Sequence, residues 1–293
     1  MFRFALRLAR PAALFLVALI ATACVGTAGA VPSGSPSARP VDPDRVVFRL
    51  AWDGGFVTPE AILGRLPVIV VYADGRVITQ GPVIDIYPGP LMPNLQEQTL
   101  SAAALDRLIE LARDKDLLKT VHYDFPGIAD APDTVLELNV DGKDYRVSAY
   151  ALGEAGNDSG AANGLDAASV DGRAALRSFI DALTAIPAAD FVDAAHSYAV
   201  TGLRIWAGKA VIVPDSELPG EQPAMDWPLS DLATAGEAVE NSPIGVRCQV
   251  VKGDDLATVL PLFQSANSLS TFRSDGELYS FIVRPLLPGE TGC

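Results

Sequence analysis

The chain has 293 residues, carries 22 Lys and Arg against 36 Asp and Glu for a net charge of −14, and is 49% apolar and 20% charged. That apolar fraction excludes disorder throughout, and the acidic balance argues against a nucleic-acid binder, because phosphate contacts need clustered Lys and Arg. Two His and three Cys leave little for a His-rich metal centre or a disulfide-dense scaffold, and at roughly 150 residues per domain the length suits one large domain or two modest ones.

Arg3, Arg7 and Arg10 are the only charges in the first 24 residues, and an apolar run from Ala12 to Ile20 follows them. The run is too short to cross ~30 Å of hydrocarbon, which takes ~20 residues. It fits the central segment of an export signal. It closes on Ala21-Thr22-Ala23-Cys24. Basic residues, apolar run, small residues and cysteine in that order resemble the lipobox of bacterial lipoproteins. The resemblance implies that residues 1–23 are a signal peptide and that Cys24 becomes a diacylated N-terminus. The alternative is an ordinary signal peptide with a cysteine nearby. No later stretch has 18 uninterrupted apolar residues, so the expectation is a protein anchored through lipid on Cys24 at the outer face of the cytoplasmic membrane, not one that spans it. Cleavage would remove three arginines and no acid, taking the charge from −14 to −17. Such a chain is repelled by anionic headgroups. Residues 24–44, with Pro32, Pro36, Pro40 and Pro43 among Ser, Gly and Ala, read as a tether. A coil of that length reaches about 25 Å.

Three Asp-Gly pairs mark hairpins beyond the tether. Asp74-Gly75 joins Pro67–Tyr72 to Arg76–Thr79, Asp141-Gly142 joins Thr134–Val140 to Tyr145–Tyr150, and Asp275-Gly276 joins Ser270–Arg273 to Leu278–Val283. Asp-Gly suits a type I′ turn, whose two central residues both have positive φ. Helices are expected between them. Ser101 can cap one with Leu105, Leu108, Ile109 and Ala112 on a face. A second runs from about Ser169 to Ala185, with Leu176, Phe179, Ile180 and Leu183. A third starts near Asp254 with Leu256, Val259, Leu260 and Phe263, and Pro261 should kink or shorten it. Hairpins rather than strand–helix–strand crossovers predict an α+β fold, with antiparallel sheets and helices packed on one face. The segment Ala185–Asp190 divides residues 45–186 from residues 195–293, two α+β parts of similar size.

Motifs that could carry chemistry are sparse. Asp193–Ser197 with His196, and Gly156–Gly160 with Ser159, look like degraded histidine and serine motifs of chymotrypsin-like proteases, in the wrong order. His122-Tyr123-Asp124 could offer one metal ligand and lacks partners; the plain reading is an edge residue. Asn157, Asp158, Asn163 and Asp166 supply oxygen ligands for Ca²⁺ without the spacing of an EF-hand, and read by default as a loop. Trp52, Trp206 and Trp227 could line a groove, but core packing is the stronger expectation. In Tyr87-Pro88-Gly89-Pro90-Leu91-Met92-Pro93, three prolines hold an apolar loop extended. Tyr87, Leu91 and Met92 are therefore candidate partner-binding residues, against the alternative of a loop folded over its own sheet. No phosphate-binding loop, dinucleotide fingerprint or zinc motif occurs, so no metal, cofactor or catalytic residue is assigned.

If Cys24 carries lipid, Cys248 and Cys293 remain in a compartment that permits disulfides, and their pairing is expected. Asp226–Leu229, Val246–Cys248 and Val283–Pro288, with the terminal Cys293, are similar to uncharacterised lipoproteins of GC-rich bacteria. That resemblance supports anchor and disulfide and implies no activity. The favoured function is a lipid-anchored extracytoplasmic binding module whose partner is another envelope protein. An envelope hydrolase with a site invisible in sequence, and a small-ligand or Ca²⁺-binding lipoprotein, are the alternatives.

Overall fold

The computed structural model describes residues 42–153, 164–211, 223–240 and 242–293. The expected signal peptide, Cys24, most of the tether, Ser159, Asn157, Asp158 and Asn163 lie outside these residues. Pro40–Cys293 form one compact unit of mixed α+β structure.

One sheet is built from β1 (Val46–Gly54), β2 (Ile69–Tyr72), β3 (Arg76–Gln80), β4 (Leu95–Thr99), β5 (Val121–Tyr123), β6 (Pro132–Val140), β7 (Lys143–Tyr150) and β8 (His196–Ser197). Its order is β5-β7-β6-β1-β2-β3-β4-β8. The other contains β9 (Gly202–Lys209), β10 (Met225–Asp226), β11 (Glu237–Ala238), β12 (Arg247–Lys252), β13 (Phe272–Ser274) and β14 (Glu277–Pro285), in the order β10-β13-β14-β9-β12-β11. The helices are α1 (Pro59–Leu63), α2 (Ala102–Asp114), α3 (Ala167–Thr184) and α4 (Gly253–Ser265). Each sheet holds one parallel pair, β5 with β7 and β10 with β13. The sheets are therefore mixed rather than wholly antiparallel. Residues 45–186 carry β1 to β7 and residues 195–293 carry β8 and the second sheet, with β8 pairing back onto β4.

All three expected hairpins form, as β2–β3, β6–β7 and β13–β14. Two have the expected turn: Asp141 and Gly142 have φ of 54° and 72°, and Asp275 and Gly276 have 46° and 82°. The first differs. Only Gly75 is left-handed there, at 93°, and its N–H closes the turn onto the Tyr72 carbonyl at 3.0 Å. Asp74 accepts the Arg76 N–H through its side chain at 3.0 Å, a local bond that holds it out of the left-handed region. The Gly75 carbonyl accepts the Leu100 N–H at 2.8 Å, and a Cβ on Gly75 would lie 2.7 Å from the Leu100 carbonyl oxygen. Glycine is needed here both for its φ and for that close approach.

Capping sets the helix starts. Ser101 accepts the Ala104 N–H at 3.2 Å, and Asp166 accepts the Ser169 N–H at 2.8 Å, so α3 begins two residues before the expected start. Helix α4 runs through Pro261 to Ser265, longer than the proline alone would suggest. Val259 and Phe263 are fully buried on either side of it, and that packing offsets the missing backbone bond.

The first core lies between the sheet and α2 and α3. Phe48, Leu136 and Val147 face Leu176, Phe179 and Leu183, with the rings of Phe48 and Phe179 5.3 Å apart. Strand β1, unforeseen in sequence, sits at its centre between β2 and β6. Arg173 is fully buried, donates to the carbonyls of Tyr150 at 2.7 Å and Ala151 at 3.2 Å, and stands over the Phe125 ring. It thus ties α3 to the end of β7. The second core packs α4 on the smaller sheet around Trp227, Phe263, Phe272 and Phe281, whose rings lie 4.8 to 6.3 Å apart. Tyr198 and Leu287 cover Val70, Tyr72, Ile78 and Leu95 on the other face of the large sheet. The Tyr198 hydroxyl donates to the Leu286 carbonyl at 2.8 Å. Cys248 and Cys293 are bonded, with Cα atoms 5.9 Å apart. Glu290 pairs with Arg284 at 2.5 Å and accepts the Leu287 N–H at 3.0 Å, fixing the tail just before the disulfide.

Candidate functional site

The loop from β3 to β4 has a stiff neck and a fixed foot. At the neck, Gly81 N–H donates to the Asn94 carbonyl at 2.8 Å, and Asn94 Nδ2 donates to the Pro82 carbonyl at 2.9 Å. At the foot, Leu91 N–H donates to the Ala266 carbonyl at 3.0 Å, and Ser268 N–H donates to the Gly89 carbonyl at 2.8 Å. Pro90 and Asn267 form an isolated bridge, and the Tyr87–Pro88 peptide is cis.

Of the three expected partner-binding residues, only Tyr87 stands in solvent, 63% exposed. Leu91 and Met92 are partly buried and pack against the second core. The apolar tip extends the other way, to Val83, Ile84 and Ile86, each more than half exposed. The sequence signal for them was the apolar run Val83-Ile84 and Ile86-Tyr87 around Asp85, just upstream of the prolines. Fully burying one such side chain is worth about 1.5–3 kcal/mol. A surface that covered all four would recover on the order of 5 kcal/mol before the costs of association.

Trp52 departs from its expected place. It is 53% exposed, whereas Trp206 and Trp227 are buried as core residues. Phe56 and Val57 line one exposed hollow with Trp52, and Ile62 stands exposed on α1, which follows. Arg65 Nη1 holds this turn by donating to the carbonyls of Trp52 at 3.2 Å and Gly54 at 2.9 Å. Phe56 N–H donates to the Asp130 carbonyl at 2.8 Å. Thr58 caps α1 through a 3.3 Å bond from Ala61 N–H.

The two histidines do not make an active site. His196 is exposed on β8, at the opposite edge of the sheet from His122. His122 on edge strand β5 does meet a serine and an aspartate: its Nδ1 is 2.9 Å from Ser148 Oγ and 3.6 Å from Asp133 Oδ1. A relay needs the serine and the carboxylate on opposite ring nitrogens, so that the imidazole takes a proton on one while held by the other. Here both address Nδ1. Ser148 also lies in the middle of β7, largely buried, with no turn to expose its oxygen as a nucleophile elbow would. Among the described residues, no group of three or more His, Cys, Asp or Glu could hold a metal ion. Asp166, the described member of the expected oxygen-rich loop, is engaged as the α3 cap, and the Ser169 N–H holds its carboxyl below the usual range. No helix among the described residues is long and apolar enough to cross a membrane.

Comparison of the chain with family models, with curated proteins and with solved structures returns no match.

Proposed function

We propose that this chain is a lipid-anchored extracytoplasmic binding module whose 83–87 tip docks on another envelope protein. The observation that carries the reading is the tip itself: Val83, Ile84, Ile86 and Tyr87 stand in solvent on a loop pinned at both neck and foot. An ordered apolar projection loses little conformational entropy on binding, which separates it from a merely loose loop. The Cys248–Cys293 disulfide fits an oxidising compartment. The anchor rests on the resemblance of Ala21-Thr22-Ala23-Cys24 to a lipobox.

In-cell crosslinking of the full-length protein, followed by mass spectrometry, tests the docking. One reproducible envelope protein, lost when Ile84 and Ile86 are both changed to Ser, supports it. Equal capture by the parent and the Ile84→Ser/Ile86→Ser variant overturns it. Cys24→Ala should release the protein from membranes, and continued tight attachment would remove the anchor from the proposal.

A further inference from the structure

The two exposed apolar groups lie at the same end of the large sheet. Strand β1 runs from Val46 beside Tyr72 to Gly54 beside Pro132, so Trp52 and Phe56 leave it at the second end. Strand β3 runs from Arg76 beside Thr99 to Gln80 beside Leu95, so the 81–94 loop leaves it at that end too. Glu60 and Ala61 of α1 line one cleft, of about 870 Å³, with Pro90 and Leu91 from the foot of the loop. The chain enters this unit at the first end, where Asp44 pairs with Arg76 at 2.7 Å and the Arg45 carbonyl accepts the Ala73 N–H at 2.9 Å. Val192, another exposed apolar residue, is at that first end, hydrogen-bonded to Thr99.

Acidic residues interleave with the apolar ones. Asp53 adjoins Trp52, Glu60 lies between Val57 and Ile62, Asp85 separates Ile84 from Ile86, and Asp130 sits against Phe56; all four are exposed. Of the cations here, Arg146 lies 3.6 Å from Asp53, and Arg65 is engaged by two backbone carbonyls.

We infer that these two groups form one docking face, and that its partner is a protein surface with an apolar groove bordered by Lys and Arg, met at the end of the unit opposite the chain's entry. The inference rests on the binding-module reading and adds the second half of the face and the chemistry of the partner. Charge selects this occupant over two others. A lipid bilayer would have to take up Asp85 and Glu60 along with their apolar neighbours, and carboxylates are costly in hydrocarbon. A second copy would set the same acids against each other across a two-fold axis, which like-charge repulsion disfavours. A basic rim satisfies the acids while the apolar groups are covered.

A photo-reactive phenylalanine placed at Phe56, Ile86 or Val192 of the full-length protein in its native cells tests this. The expected result is that the Phe56 and Ile86 positions capture the same protein, at a Lys- or Arg-flanked apolar segment, and that Val192 captures it at least tenfold less. Changing Glu60 and Asp85 together to Lys should lower capture from both positions at least tenfold. Retained protease resistance and disulfide would show that the variant is folded. Capture from Ile86 alone leaves the binding-module reading standing and overturns the joint face. Capture from neither position overturns both. Crosslinks to lipid or to a second copy, different proteins at the two positions, or capture indifferent to the charge reversal each overturn the partner assigned here.

Discussion

Cys293→Ser should cost this protein about 4 kcal/mol of stability. The disulfide joins residues 45 apart, and closing a loop of that length lowers the entropy of the unfolded chain by an amount worth about 4 kcal/mol at room temperature. Native stabilities run about 5–15 kcal/mol, so this is a large share. For a domain of this size it corresponds to a fall in Tm of about 8–16 °C. Cys293→Ser is the cleaner variant of the two. Cys293 is exposed, whereas Cys248 is buried beside Trp206 and Val246, where its thiol can stay. Tail contacts as far as Glu290 do not depend on the bond, because Glu290 holds Arg284 and the Leu287 N–H. The effect should therefore fall on the unfolded state. Urea titrations of parent and variant measure it, and the freed unfolded chain should expose more surface and raise the m-value. A loss below about 1 kcal/mol with an unchanged m-value would refute the reasoning, and would mean that the folded tail is strained by the bond or that the unfolded chain stays compact.

Gly75→Ala should cost more than about 2 kcal/mol, because it forces a Cβ to 2.7 Å from the Leu100 carbonyl oxygen at φ 93°; Gly142→Ala, at φ 72° with open space around it, should cost about 1 kcal/mol. Equal urea midpoints for the two variants would contradict the close approach. Arg173→Leu should cost about 3 kcal/mol, since the part-buried carbonyl of Tyr150 and the buried one of Ala151 each lose a charged donor at about 1–3 kcal/mol apiece. A midpoint within 1 kcal/mol of the parent would sink that account. Asp193 accepts the Thr99 N–H at 2.6 Å and the Thr99 hydroxyl at 2.9 Å, which holds its carboxyl below the ordinary value of 3.8. Its stabilisation is present above that value and is lost as pH falls through the lower folded one. Asp193→Asn should flatten the acid limb of stability below about pH 4, and an equally steep limb would remove this role.

The local grammar of the chain determined a good deal by itself. Asp-Gly between apolar runs produced three hairpins, because left-handed backbone is cheap at those residues. Ser101 and the spacing of Leu105, Leu108 and Ala112 specified α2, because a cap and a 3.6-residue stripe are properties of the helix alone. Cysteine arithmetic reached Cys248–Cys293, on the expectation that the third cysteine, Cys24, carries lipid. The turn at Asp74-Gly75 differs from the expected type because the Asp74 side chain takes the Arg76 N–H, and the close approach of Leu100 to Gly75, 25 positions away, is something no local pattern shows. Strand β1 was missed because Val-Val-Phe-Arg-Leu-Ala-Trp lacks the clean alternation of a half-buried strand; its position between β2 and β6 gives it neighbours that no local pattern reveals. The same limit governed the site. Leu91 and Ile84 are both apolar loop residues, and nothing in their type says that one packs against the second core while the other stands in water. Periodicity tells which residues share a face of their own element. What lies opposite that face, and whether Trp52 and Ile86 come to one end of a sheet, is decided when distant strands pair, and only the tertiary structure carries that information.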